Sequence, residues 1–363
     1  MQMPTILSAC TAEEASRSRD YEFEASLCLD CGLGYNSRPL PTEVLEDIYR
    51  NYHYIRPQKG IGVSKYEEML KCLGKHTRKD QHLVEIGSSD GYLVDSLATA
   101  GYANLEGIEP SKESSLADNQ HLIRNEFFDE NTRFDKPVDA FFLMHVLEHF
   151  QSPRQIVSLM KRHLSENGKI IFEVPNFGGF HHQHLLFFSR PFVYQMAAKT
   201  GFSVIEIDDT QAVLRAVLKK SEASPDSSQE FSPEIVENLL VMAKKAGRNQ
   251  IMIRQEVEDF LKKMVNKRVY WWGTGSTSIL TLANIDRNLL TNLDLIVIDG
   301  DIERKGLCIP IFDLENTRIY HPTEITSEFK KDDALVIASS FSKQIIAGLQ
   351  DGVIPEQIHS ITL

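Results

Sequence analysis

Short apolar runs alternate with stretches of helical spacing from residue 82 to residue 174, and this alternation is the strongest constraint on the fold. His82–Ile86 (HLVEI) ends at Gly87, and Leu105–Glu109 ends at Pro110. Val138–Met144 is a third run, and Lys169–Val174, closed by Pro175, is another. Runs this short, apolar on both faces, suit strands covered on both sides. Between them, Asp90–Ala100 reads as a helix stopped by Gly101, and Gln155–Leu164 as a second, followed by Gly168. Parallel strands need crossover connections, so the pattern specifies a doubly wound α/β sheet. Ser203–Ile207 and Val213–Leu218, joined by a short polar turn, predict an antiparallel edge.

The chain has 363 residues, room for about two or three domains. Ser221–Pro233 is rich in Ser and Pro and reads as a linker. Glu234–Asn266 carries helical spacing without proline, enough for one or two helices, and residues 267–363 return to alternating strands and helices. Residues 1–60 are loop-rich and hold three of the five cysteines. The expected division is therefore 1–60, 61–222 and 223–363.

Charge and cysteine content exclude several classes. Net charge is −12, which disfavours phosphate backbones and so nucleic-acid partners, while leaving room for one phosphorylated small molecule. No apolar run reaches the roughly 18 residues of a membrane span. Five cysteines do not make a disulfide scaffold and fit a reduced, cytoplasmic chain. Leu7–Cys10 has the look of a lipoprotein cleavage site, but no basic residue and no sufficient apolar run precedes it.

The first motif with chemistry is Val84–Gly91, VEIGSSDG: strand, glycine-containing loop, helix. Such a loop lets a ligand approach the backbone. It lacks the G-x-G-x-x-G or lysine of a phosphate cradle and is instead acidic, through Glu85 and Asp90, which suits a cationic or amino-bearing ligand. Glu109 ends the next strand at about the spacing expected of an acid that accepts ribose hydroxyls. Together, VEIGSSDGYL and the following GIEP resemble the S-adenosylmethionine (SAM) site of class I methyltransferases. The resemblance implies that Glu85, Gly87, Ser89 and Asp90 shape the methionine pocket and that Glu109 holds the ribose.

Two histidine-bearing segments follow. FFLMHVLEHF (141–150) matches the segment after the fourth strand of that family, which implies that His145 lines the cofactor and His149 faces the substrate. Either side chain could equally be a packing histidine at a strand end. FHHQHLLFFS (180–189) places three histidines in four residues just after the last parallel strand, at the sheet end where open α/β folds bind ligands. Adjacent histidines in an extended loop point apart, so a general base is the better reading than a metal cluster. This block resembles the YHEHLSYFS-type block of sugar C-methyltransferases. The resemblance makes His184 the base and puts His181 and Gln183 in the substrate pocket.

The same three-part family implies a ribbon-like N-terminus and a Rossmann-like tail. Leu27–Gly32 (LCLDCG) is half of a zinc ribbon, with Cys28 and Cys31 as a pair and Cys10 standing alone. Those three thiols, with Glu13 or His53 as a fourth donor, would hold structural zinc; the alternative is a ribbon that has lost its metal. The tract YRNYHY (49–54) resembles the strip that lines the sugar pocket, which implicates Tyr52 and Tyr54, or is an aromatic core stripe. Arg268–Ser276 (RVYWWGTGS) is strand, GxG and helix, and Leu293–Asp299 is a strand ending in an acid. Alone this is a weak dinucleotide fingerprint, without the third glycine. In the family it helps enclose a nucleotide-sugar.

The resemblance implies C-methylation of a nucleotide-linked 4-keto-deoxysugar, with His184 removing a proton and His149 assisting the enolate oxygen. Departures fall in the substrate pocket. His181 and Gln183 stand where the family has Tyr and Glu, and Thr210–Val213 where it has an HGGS-type stretch. Two rivals stay open: an O- or N-methyltransferase on another small molecule, and a non-catalytic or redox nucleotide-binding protein using the C-terminal GxG.

Overall fold

The computed structural model describes residues 2–6, 8–50, 61–177, 184–209, 213–221, 232–311, 314, 317–339, 342–349 and 354–361. The chain forms two compact units, one of Met1–Phe23 with Lys245–Leu363 and one of Glu24–Lys244. The segment expected as one module over residues 1–60 is thus divided between them. The linker expected at 221–233 lies largely outside the described residues.

The Glu24–Lys244 unit is built on seven strands: β1 (His82–Ile86), β2 (Asn104–Ile108), β3 (Ile123–Arg124), β4 (Val138–Met144), β5 (Leu164–Pro175), β6 (Phe202–Asp208) and β7 (Val213–Lys220). Their spatial order is β6-β7-β5-β4-β1-β2-β3. β1 runs parallel to β2 and β4, and β4 parallel to β5. β7 is antiparallel to both β5 and β6, as the tight connection between the last two strands predicts. This is an α/β fold with a parallel-rich central sheet, consistent with a class I methyltransferase. All five residues of β1 are buried, because helices cover both faces.

Four helices dress the sheet: α1 (Ile61–His76), α2 (Tyr92–Thr99), α3 (Pro153–His163) and α4 (Arg190–Thr200). Met69 and Leu73 of α1 and Leu93, Val94 and Leu97 of α2 close over Leu83, Leu105, Phe142, Ile171 and Val217. Each such side chain contributes about 1.5–3 kcal/mol on full burial. Local signals set the helix ends. Pro153 opens α3 at a position where no amide is needed, and Gly201 closes α4 in the left-handed region at φ 76°. β5 differs from expectation: it begins at Leu164, not Lys169. Leu164 pairs with Val138, and the β4–β5 register shifts between Val138 and Ala140, while Ser165 Oγ donates to Asp139 Oδ1 at 2.9 Å.

A second, three-stranded sheet in this unit joins Leu186–Phe187, Gly34–Asn36 and Ala25–Leu27, in that order and antiparallel. It ties the CxxCG turn to the chain just after His184.

The other unit holds five parallel strands in the order Ile319–Tyr320, Asp294–Ile298, Arg268–Trp272, Ala334–Ile337, Gln357–Ser360. Trp271 is fully buried there, its indole nitrogen donating to Ser278 Oγ at 2.6 Å. Asp299 Oδ2 accepts from the Thr274 amide at 2.9 Å within the GxG turn. One 30-residue helix, Pro233–Lys262, carries the chain between the two sets of residues. No helix among the described residues is long and apolar enough to cross a membrane.

Candidate active site

β1 has β2 on one side and β4 on the other, so the sheet changes winding direction at β1. The carboxyl ends of strands at such a point form the ligand crevice of open α/β sheets. Here that crevice is edged by the loop after β1, the end of β2 and the turn after β4.

Gly87 and Gly91 both have φ 75°, where glycine is the residue without steric cost. A Cβ at Gly87 would overlap Val146, and one at Gly91 would overlap Ala117. The loop therefore lies against the turn after β4. Ser89 also sits at positive φ, 48°. Its amide donates to Glu109 Oε2, and the Ser111 amide to Glu109 Oε1, each at 2.8 Å. The expected ribose acid is thus locked in place through main-chain donors, and each oxygen keeps a second lone pair for a hydroxyl. Asp90 Oδ1 accepts from the Tyr92 amide at 3.3 Å. Glu85 is buried, and its Oε2 has no hydrogen-bond partner among the described residues. Burial, reinforced by Asp90, Glu109 and Asp95, raises its carboxyl well above the usual range. A buried acid with one oxygen unpartnered among the described residues, beside a loop bounded by two glycines, fits the cationic methionine end of SAM.

His145 follows β4 directly at φ 55°, its amide bonded to the Glu173 carbonyl at 2.8 Å. Nδ1 lies 3.5 Å from Glu148 Oε1 and Nε2 3.3 Å from Glu173 Oε1. Burial works to lower its pKa, but the two carboxylates outweigh burial and raise it to about 8. Glu173 is fully buried and also takes the guanidinium of Arg215, which reaches Glu68 at 3.2 Å. Burial alone would raise the Glu173 pKa; His145 and Arg215 bring it below the usual value.

His149 and His184 come together from different segments, with ring centroids 5.0 Å apart and planes at 73°. Tyr49 Oη is 3.0 Å from His149 Nδ1. His184 is buried, with Nε2 3.8 Å from Glu148 Oε1. The backbone beside it is pinned twice, by Leu185 N to the Glu148 carbonyl at 3.0 Å and by Asn36 N to the Leu185 carbonyl at 2.9 Å.

The structure thus brings His145, His149 and His184 into one cluster. Tyr52, Tyr54, His53, His181 and Gln183 lie outside the described residues. Sequence reasoning missed Glu148, Glu173, Arg215 and Tyr49. The signal for Glu148 was its place in the run HVLEH, between two histidines already singled out; Tyr49 opens the aromatic tract whose later members were chosen.

Of the three thiols expected as zinc donors, Cys10 belongs to one unit and Cys28 and Cys31 to the other. Cys28 and Cys31 share the CxxCG turn, closed by Gly32 N to the Cys28 carbonyl at 2.9 Å, and burial raises the Cys31 pKa. Cys10 is paired through main-chain bonds with Cys308, and burial pushes its thiol up to about 12. Among the described residues two groups have metal-binding geometry, Glu148 with His149 and His184, and Cys72 with His76 and Glu206. Neither includes Cys10, Cys28 or Cys31.

Residues 63–207 match the model of a methyltransferase domain. The chain is an enzyme, a SAM-dependent methyltransferase. Among solved structures, this methyltransferase is similar to magnesium protoporphyrin IX methyltransferase from Synechocystis PCC 6803 with bound S-adenosylhomocysteine. Identity there is 13%, over 50% of this chain and 100% of that one, with a TM-score of 0.39. It is also similar to an S-adenosylmethionine dependent methyltransferase from Mesorhizobium loti, at 10% identity over 41% and 96%, TM-score 0.36. A third is the [4+2]-cyclase SpnF, at 11% identity over 48% and 88%, TM-score 0.39. A comparison with curated proteins finds no match.

Proposed function

We propose that this methyltransferase C-methylates a nucleotide-linked 4-keto-deoxysugar, with His184 as general base and His149 assisting at the ketone oxygen. The observation that carries the reading is the edge-to-face pair of His149 and His184, 5.0 Å apart, beyond the strand ends that bear the glycine loop. A 4-keto group acidifies the C–H at carbon 3. His184 takes that proton, and the electron pair moves onto the ketone oxygen, where His149 donates a hydrogen bond. When bound, SAM supplies a methyl group on a sulfonium, which passes to carbon 3 with S-adenosylhomocysteine as leaving group. Glu85, Gly87, Ser89, Asp90 and Glu109 would hold it, with His145 lining the same side.

The reading extends to the rest of the chain. The CxxCG turn and its short hairpin are taken as a ribbon-like remnant, with Cys28 and Cys31 as zinc donors if the metal is kept. The five-stranded parallel sheet is taken as a Rossmann-like domain, residues 61–222 as the cofactor-binding domain, and Tyr52, Tyr54, His181 and Gln183 as the sugar-side lining.

A panel of nucleotide 4-keto-deoxysugars incubated with methyl-labelled SAM tests this, with the labelled carbon located by NMR. Label on carbon 3 is expected, lost in His184→Ala while SAM binding persists. Label on an oxygen or nitrogen, or full turnover by His184→Ala, would overturn it.

A further inference from the structure

We propose that Glu148 is the positioning residue of the base, a role that rests on reading His184 as that base. Glu148 lies in the short turn Leu147–His149 after β4 and is 1% exposed. Its Oε1 stands 3.8 Å from His184 Nε2 and 3.5 Å from His145 Nδ1. Neither carboxylate oxygen has a hydrogen bond among the described residues. A buried carboxylate so placed is costly unless nearby cations offset it, and among the described residues the groups in ion-pair range are these two imidazoles. The main chain points the same way: the Glu148 carbonyl accepts from the Leu185 amide at 3.0 Å. Residue 148 thus addresses the 184–185 segment through both backbone and side chain.

The sequence gives this contact its meaning. Gln183, next to the base, cannot ionise, and the carboxylate in reach of His184 comes from Glu148 instead. A carboxylate facing Nε2 favours the tautomer protonated there. It also stabilises the imidazolium formed when Nδ1 takes a proton. The same carboxylate holds His145 on the cofactor side, so one buried acid serves both halves of the site.

The test uses the full chain with ¹⁵N-labelled histidine, as wild type, Glu148→Gln and Glu148→Asp; the His184 signals are assigned by their loss in His184→Gln. In the wild type, His184 is expected to carry its proton on Nε2, and Glu148→Gln to shift the tautomer balance. With the 4-keto-sugar panel, kcat should fall about 100-fold in Glu148→Gln, and Glu148→Asp should recover part of the loss. His184 signals and turnover unchanged in Glu148→Gln would overturn the proposal. If no member of the panel is methylated by the wild type, the substrate reading fails and the NMR result alone decides: a shifted tautomer supports the role of Glu148, an unshifted one overturns it. Should Glu148→Gln not fold, the same readouts on Glu148→Asp decide, because the shorter side chain withdraws the charge from Nε2.

Discussion

Arg215 and Glu173 face each other directly across β7 and β5, with Arg215 Nε donating to Glu173 Oε2 at 2.9 Å. Glu173 has no exposed surface, and its other oxygen lies 3.3 Å from His145. The pair therefore anchors the strained residue at the end of β4 from beneath. Arg215→Met leaves a buried carboxylate with its main cation gone, and stability should drop by about 3–5 kcal/mol. Adding Glu173→Gln should return much of it, since the charge is then removed rather than stranded. Denaturant unfolding of the single and double variants measures both.

Gly87→Ala should lose SAM affinity by at least about tenfold. Two costs combine: φ 75° is unfavourable for any Cβ, and the new methyl overlaps Val146. Val146→Ala placed in the same chain removes the overlap but not the backbone cost, so it should restore part of the affinity. Calorimetric titration with SAM reads this; equal binding by Gly87→Ala would show that the loop does not hold the cofactor.

His145 gives a pH signature. Its folded pKa, about 8, lies above the ordinary 6.5, so the folded state binds the proton more tightly than the unfolded state. The resulting stability is complete below about pH 6.5 and is lost as pH rises through about 8. His145→Asn is the fitting control, because asparagine tolerates positive φ better than most residues. The wild type's Tm advantage over that variant should shrink between pH 6.5 and 8.5. A gap constant across that range would show that the carboxylates do not hold the proton on His145.

How much was legible follows from the range of each signal. Strand ends were readable because Gly87, Pro110 and Pro175 break structure locally. The antiparallel β7 was readable from the short turn before it. The start of β5 was not: Gly168 looks like a helix stop, but Leu164 and Ser165 are drawn into the sheet by Val138 and Asp139, contacts that no local pattern announces. The site shows the same split. The histidines stand out as residue types on loops at strand ends. Glu148, Glu173 and Arg215 acquire their roles through pairings between distant segments, and on a strand Glu173 and Arg215 read as ordinary polar positions. Cys10 shows the same limit: the family resemblance grouped it with Cys28 and Cys31, while its main-chain pairing with Cys308 has no local signal in the sequence.

Glu85 makes cofactor binding a proton-linked event. In the protein without ligand, burial and the neighbouring acids Asp90, Glu109 and Asp95 keep its carboxyl well above the usual range, so it holds a proton where a free glutamate does not. The ammonium and sulfonium charges of SAM favour the ionised form. Binding should therefore release protons, and affinity should rise with pH until Glu85 is ionised in the unliganded protein as well. Titrations with SAM in buffers of different ionisation enthalpy count the protons released. Glu85→Gln should remove this share of the release and flatten the pH dependence. Proton release unchanged in Glu85→Gln would place the methionine end of the cofactor away from this carboxyl.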